Sequence, residues 1–137
     1  SDAGIDCVVG PAMGGVIIAH EVARALGCRC IFAEKDAAGR LTIRRNFQIA
    51  PGSRVLVAED VVTKGTAVAE TVAVLRELGV EPVGIGVLLD RSGGNRMDIG
   101  VELRSLMQRT APLYEPDDCP LCRQGLDLIK PGSGKVS

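Results

Sequence analysis

The stretch Val55-Leu56-Val57-Ala58-Glu59-Asp60-Val61-Val62-Thr63-Lys64-Gly65-Thr66-Ala67 decides how this chain is read. Its opening apolar residues do not alternate with polar ones, which predicts a strand buried on both faces. Adjacent carboxylates, Glu59 and Asp60, follow where that strand is expected to end. A short loop, Thr63-Lys64-Gly65-Thr66, then opens an amphipathic helix. A helix start leaves several N–H groups without intrahelical partners and carries the positive end of the helix dipole. Gly65 admits a ligand close to the backbone, and Thr63 and Thr66 add hydroxyl donors. The loop therefore reads as a cradle for a phosphate. The acids before it are placed to hold what hangs from that phosphate, sugar hydroxyls or a magnesium ion. The competing reading is an ordinary strand-to-helix turn that happens to carry Glu-Asp. It leaves neighbouring carboxylates at the end of a buried strand without a task.

Upstream, residues 5–9 read as a first strand, broken by Gly10-Pro11-Ala12-Met13-Gly14-Gly15. A helix to about Leu26 follows, with Val16, Ala19, Val22, Ala23 and Leu26 forming one stripe and Gly27 suited to its end. Residues 30–33 form a second strand. The segment 35–46 is polar and basic, with a turn at Gly39 and a short hairpin arm at Leu41-Thr42-Ile43. Downstream, Val68, Val72, Leu75 and Leu78 share one helix face, and Gly79 stops the helix. The next buried strand is expected over 83–89, where Gly84 and Gly86 permit close packing of a neighbour. Arg91-Ser92-Gly93-Gly94-Asn95 is a loop, 101–106 a further strand, 112–120 irregular and 130–135 a flexible tail. This alternation predicts an α/β fold with a mostly parallel sheet flanked by helices. Ligands of such sheets sit beyond the carboxyl ends of the strands, the edge where all these loops fall. The expected division is an α/β domain over 1–115 and a tail with a CxxC turn over 116–137.

Bulk properties bound the function. A chain of 137 residues suits one domain, and one of that size buries roughly two-thirds of its unfolded surface. Two Phe, one Tyr and no Trp imply an aliphatic core and argue against a base-stacking nucleic-acid platform. A net charge of −1 gives no overall attraction for polyanions. Positive charge is local, around Arg40, Arg44 and Arg45. No apolar run approaches bilayer length, and Asp2 and Asp6 stand where a signal peptide would be basic. Five cysteines, an odd number, argue against a disulfide framework and for a reducing compartment. The expectation is a cytoplasmic protein with no nucleic-acid or membrane partner.

The order of apolar strand, paired acids, Val61-Val62 and Thr63-Lys64-Gly65-Thr66-Ala67 resembles the phosphoribosyl pyrophosphate signature of the type I phosphoribosyltransferases. That resemblance implies the family's fold, a 5-phosphate on the loop and ribose hydroxyls on Glu59 and Asp60. It places pyrophosphate on the turn at Ala12, Met13 and Gly14. Gly10 and Gly15 also have the spacing of a nucleotide-phosphate loop, but Val16-Ile17 replaces the required Lys and Ser/Thr, so that reading fails. A simple tight turn is the alternative. Lys35 would neutralise the departing pyrophosphate in a water-excluded site. Arg40, Arg44 or Arg45 of the same arm can do this in its place, and for each the alternative is a solvated side chain.

Leu89-Asp90-Arg91 narrows the resemblance to the orotate phosphoribosyltransferases, in which that arginine holds the substrate carboxylate. The planar guanidinium fork suits a carboxylate. Gly10-Pro11-Ala12, Ile43-Arg44-Arg45-Asn46-Phe47, Tyr114-Glu115-Pro116 and Cys119-Pro120-Leu121-Cys122 agree, and Thr63 would also touch orotate. The resemblance runs from about Ile5 to Gly132. It implies transfer of phosphoribosyl from phosphoribosyl pyrophosphate to orotate in pyrimidine biosynthesis. It also implies Mg2+ held without a direct protein ligand set, and a homodimer whose arm completes the partner's site.

Some features depart from the family. Lys64 stands where Thr or Ala is usual, the arm is shorter and lacks histidine, and the chain begins almost directly at the first core strand. The N-terminal hood segment is thus expected to be lost, removed or outside this piece, which bears on turnover more than on binding. Other functions stay open. A non-catalytic module that senses phosphoribosyl pyrophosphate or a nucleotide is favoured by the missing front. A transferase for a purine or uracil is disfavoured by Arg91, since those bases lack a carboxylate.

Cys119 and Cys122 form a single CxxC. Zinc normally wants four ligands, and the only histidine, His20, lies far off in a helix. A metal shared across a dimer and a redox role are weighed against a plain turn, which is preferred because the motif is not expected at a helix start. His20 is assigned no role, and Cys7, Cys28 and Cys30 read as core or near-core thiols.

Overall fold

A computed structural model describes residues 4–112 and 114–126, so the expected flexible tail at 130–135 lies outside the described residues. The elements run β1 (Cys7–Pro11), α1 (Gly14–Leu26), β2 (Arg29–Lys35), β3 (Leu41–Ile43), β4 (Val55–Val62), α2 (Thr66–Glu77), β5 (Gly84–Asp90), β6 (Leu103–Gln108) and α3 (Pro120–Arg123), with a 3-10 turn at Pro116–Asp118. They form one sheet in the order β3-β2-β1-β4-β5-β6. Only β3 is antiparallel, pairing with β2 as the short arm read from Leu41-Thr42-Ile43.

The apolar run at the start of β4 is buried on both faces because a helix covers each side. Val55 and Val57 share a cluster with Val68, Val72 and Leu75 of α2, while Ala58 joins Val8, Ala19 and Ala23 beneath α1. Each fully buried Val or Leu of this kind contributes roughly 1.5–3 kcal/mol. α1 ends where read, with Gly27 in the left-handed region at φ 70°. Cys7 is buried and Cys28 and Cys30 are half-buried, as expected of near-core thiols. Burial pushes the Cys7 thiol up to about 11.

Several expectations need correction. β4 does not stop before its acids: the ladder with β5 continues through Glu59↔Val87 and Val61↔Leu89 to Val62↔Asp90, so Glu59 and Asp60 lie inside the strand. β1 likewise runs on to Pro11, where it pairs with Ala33 of β2 after its pairing with β4 has stopped at Val9. Leu78 is 43 % exposed, because it caps α2 after the buried stripe has turned away. β5 is buried on one face only, since α1 lies over β1, β2 and β4 and leaves Leu88 exposed. Gly86 accordingly faces open space rather than a close neighbour. Finally, Cys119 does sit at a helix start, the N-cap of the four-residue α3.

The topology decides where a ligand can go. From β1 the chain steps to β2 on one side, and from β4 to β5 on the other. The turns that follow β1 and β4 are therefore neighbours at the point where the strand order reverses, the usual ligand crevice of a parallel sheet. Among the described residues, no helix is long and apolar enough to cross a membrane.

Candidate active site

The turn between β4 and α2 is built from backbone. Gly65, at φ 85°, is the N-cap, a conformation that side-chain-bearing residues adopt only with strain. α2 has no side-chain cap and no acid in its first turn, so its leading N–H groups stay available to an anion. A cavity of about 250 Å3 opens here, lined by Glu59, Thr63, Gly65, Thr66 and Ala67 together with Val61, Val62 and Val68. Lys64 is exposed, its carbonyl accepting a hydrogen bond from the Met97 amide at 3.0 Å.

Glu59 reaches this cavity from a buried position, 6 % exposed, with Oε1 accepting from the Asp60 amide at 3.0 Å. Burial, reinforced by the adjacent Asp60 carboxylate, raises its pKa from 4.5 to about 7. Asp60 is half-buried and accepts from the Val61 amide through Oδ1 at 2.7 Å. Its carboxylate lies against the turn after β1: a Cβ on Gly14 would stand 2.5 Å from Asp60 Oδ2. Glycine at that position is what brings Ala12, Met13 and Gly14 beside the acids. The Ala12–Met13 peptide bond is cis, and the Ala12 amide donates to the Ala33 carbonyl at 2.7 Å. α1, like α2, starts without a side-chain cap or a first-turn acid.

The basic arm is less free than its composition implies. Lys35 is the last residue of β2, exposed, with no ion pair among the described residues. Arg40 pairs with Asp36 at 3.3 Å. Arg45 grips Glu34 through Nε and Nη2 at 2.9 and 3.0 Å and lies 5.5 Å from the centre of the Phe32 ring. Phe47 meets Phe32 edge-on at 5.4 Å, folding this turn onto β2. Arg44 is exposed and has no ion pair among the described residues. Glu34 and Asp36 alternate with Lys35 along the chain, a pattern that could have signalled self-neutralisation of the arm.

Arg91 leaves β5 exposed, its amide donating to the Val62 carbonyl at 2.8 Å. Next to it lies what sequence reading missed: Asp90, 5 % exposed, accepts from Arg96 Nη1 at 3.0 Å and from the Ser92 amide at 2.9 Å. A second cavity of about 400 Å3 adjoins this pair, between the ends of β5 and β6. Nothing in the glycine-rich spacing from Asp90 to Arg96 marks them as partners. His20 is an exposed residue of α1. At the CxxC, amide donation from Cys122, together with its thiol, lowers the Cys119 thiol, while the Cys122 thiol is raised by Cys119.

Uncapped helix-start amides, paired acids and a second small turn at one sheet edge form an arrangement that can accept a sugar phosphate. The model of the phosphoribosyl transferase domain matches residues 1–109. Orotate phosphoribosyltransferase of Desulforamulus reducens is 48 % identical over 98 % of this chain and 69 % of its own length. The chain belongs to the orotate phosphoribosyltransferase family. The same enzyme of Pelotomaculum thermopropionicum is 50 % identical over 97 % of this chain and 69 % of its own. Among solved structures, Mycobacterium tuberculosis orotate phosphoribosyltransferase in complex with 5-phospho-α-D-ribosyl 1-diphosphate is similar in fold, with a TM-score of 0.63 and 27 % identity. That match covers 78 % of this chain and 64 % of that one.

Proposed function

We propose that this chain transfers the phosphoribosyl group from phosphoribosyl pyrophosphate to orotate, giving orotidine 5′-monophosphate and pyrophosphate, a step of pyrimidine nucleotide biosynthesis. The observation that carries the proposal is the cavity at the start of α2, where uncapped amides meet a buried carboxylate that has no cation partner among the described residues. Loop residues Thr63 to Ala67 hold the 5-phosphate, with Val61 and Val62 walling the pocket. Glu59 and Asp60 steady the ribose as positive charge develops at its C1. The C1–oxygen bond to pyrophosphate breaks and a C1–nitrogen bond to the pyrimidine forms. The turn at Ala12, Met13 and Gly14 receives the pyrophosphate, and Lys35 meets its charge. Among the arginines of the arm, Arg44 is the one ready to help, since Arg40 and Arg45 must first leave Asp36 and Glu34. Arg91 grips the orotate carboxylate, with Thr63 beside it. Orientation and charge stabilisation supply the rate, without an activated nucleophile.

Magnesium suits this donor set. Among the described residues no group of three or more His, Cys, Asp or Glu could cage a metal alone. Mg2+ would enter with the substrate rather than on a direct protein ligand set, with Glu59 and Asp60 the acids that would hold the substrate beside it. When bound, it supplies positive charge to the pyrophosphate. The same reading makes the protein a cytoplasmic homodimer in which the arm at 35–46 completes the partner's site.

The test follows orotate absorbance in the presence of protein, magnesium and phosphoribosyl pyrophosphate. Loss with orotate, and no product from uracil or adenine, is expected. Tight binding of phosphoribosyl pyrophosphate with no loss would replace the proposal by a sensing module. An Asp60→Asn variant with full activity would contradict the role given to that carboxylate.

A further inference from the structure

Besides the Arg91 amide bond to the Val62 carbonyl at 2.8 Å, one side chain joins the turn that would hold the phosphate to the loop that carries Arg91. Arg96 has its guanidinium on the buried carboxylate of Asp90, Nη1 to Oδ2 at 3.0 Å, at the end of β5. Its stem starts at the other loop: a Cβ on Gly65 would stand 3.7 Å from Arg96 Cβ, with Ile99 Cδ1 equally near. The next residue, Met97, donates its amide to the Lys64 carbonyl at 3.0 Å. Ile99 in turn packs on the core under α2. Asp90 is itself fixed, accepting from the Ser92 amide through Oδ1 at 2.9 Å and donated to at its carbonyl by the Arg109 amide at 2.9 Å.

We infer that Arg96 is a positioning residue that, anchored on Asp90, sets the spacing between the phosphate turn at 63–66 and the loop of Arg91. The physical grounds are the rigidity and burial of its anchor. One guanidinium nitrogen on a desolvated carboxylate, from an arginine one-third exposed, holds a more defined geometry than a pair exposed on both sides. A ligand that spans both loops needs them at one separation, and a shift of about 1 Å in such a site costs on the order of 10²-fold in rate. A ligand that touches the phosphate turn alone has no such requirement. The ligands that distinguish these cases are those of the transfer proposed above, on which this inference rests.

The experiment titrates magnesium-loaded protein with ribose 5-phosphate, which reaches one loop, and with orotidine 5′-monophosphate, which reaches both. Arg96→Met keeps the stem and removes the fork. It is expected to weaken orotidine 5′-monophosphate by about tenfold or more while changing ribose 5-phosphate by less than about twofold. Arg96→Lys, which keeps charge without the fork, is expected to lie between. The double variant Asp90→Asn/Arg96→Met leaves no unpaired buried charge and carries the test if the single variant does not fold. Equal losses for both ligands, or no loss for either, overturn the inference. Wild-type protein that binds ribose 5-phosphate but not orotidine 5′-monophosphate refutes the transfer itself, an outcome distinct from equal losses in the variants.

Discussion

Glu59 on β4 and Asp90 on β5 stand at the same edge of adjacent strands, 6 % and 5 % exposed, yet their charges are handled in opposite ways. For Asp90, burial alone would raise the pKa, but the hydroxyl and amide of Ser92 and the guanidinium of Arg96 outweigh it and hold the carboxyl below its usual value. Glu59 has no such company among the described residues. Burial and the Asp60 carboxylate push it up to about 7, opposed only by the Asp60 amide. A buried acid that is matched inside the chain belongs to the scaffold. One left unmatched beside phosphate-ready amides is held for a partner that arrives from outside. Equal burial therefore conceals opposite purposes, and the donors around each acid tell them apart.

The largest expected effect sharpens this contrast in activity. Glu59→Gln should lower steady-state turnover of orotate by on the order of 10²-fold, as loss of a charge aimed at a developing positive centre does. A greater loss in Asp90→Asn would exchange the roles assigned here. In stability the order reverses. Asp90→Asn removes one partner of a buried pair and should lower the unfolding free energy by about 3 kcal/mol in urea titrations. Glu59→Gln measured near pH 8 should instead raise it, because no ionised carboxylate then has to be buried.

Opposite pH slopes follow from the same pair. Glu59 has a folded pKa above its ordinary value, so the native state binds that proton more tightly. The stability it contributes is complete below about 4.5 and is lost as pH rises through about 7. Asp90, with its pKa lowered, contributes stability above its ordinary range and loses it as pH falls through its folded value. Thermal midpoints of wild type and Glu59→Gln should therefore diverge between about pH 5 and pH 8 and meet at the acid end. Titration with magnesium and phosphoribosyl pyrophosphate near pH 6 should release a proton from wild type and not from Glu59→Gln, read from heats in buffers of different ionisation enthalpy.

The smallest effect belongs to the arm, where acid and base are both in water. Glu34→Gln frees Arg45 but should leave the denaturation midpoint unchanged, since exposed pairs contribute little. Inhibition by pyrophosphate should tighten by about twofold if the released guanidinium reaches the leaving-group turn. A clear loss of stability would show that Arg45, held at φ 61° against Phe32, is part of the scaffold like Asp90.

Much of the candidate site's local structure was legible because its parts are adjacent along the chain. An unbroken apolar run, a glycine and flanking hydroxyls announce a buried strand, a tight turn and a helix start from a dozen consecutive residues. Composition and alternation were enough for the α/β class and for the edge of the sheet where these loops gather. What stayed hidden depends on groups brought together from elsewhere. The extension of β4 through its acids needs the ladder of β5, and the exposure of Gly86 and Leu88 depends on where α1 stops covering the sheet.

By itself, then, the sequence determined the strand–turn–helix unit and the kinds of residue at its rim, because propensity and backbone freedom act within a few residues. Only the tertiary structure decided which of those charges are spent. Whether Glu59, Asp90 or Arg45 is free depends on the water removed and the donors supplied by other strands and loops, and neither quantity is written along the chain.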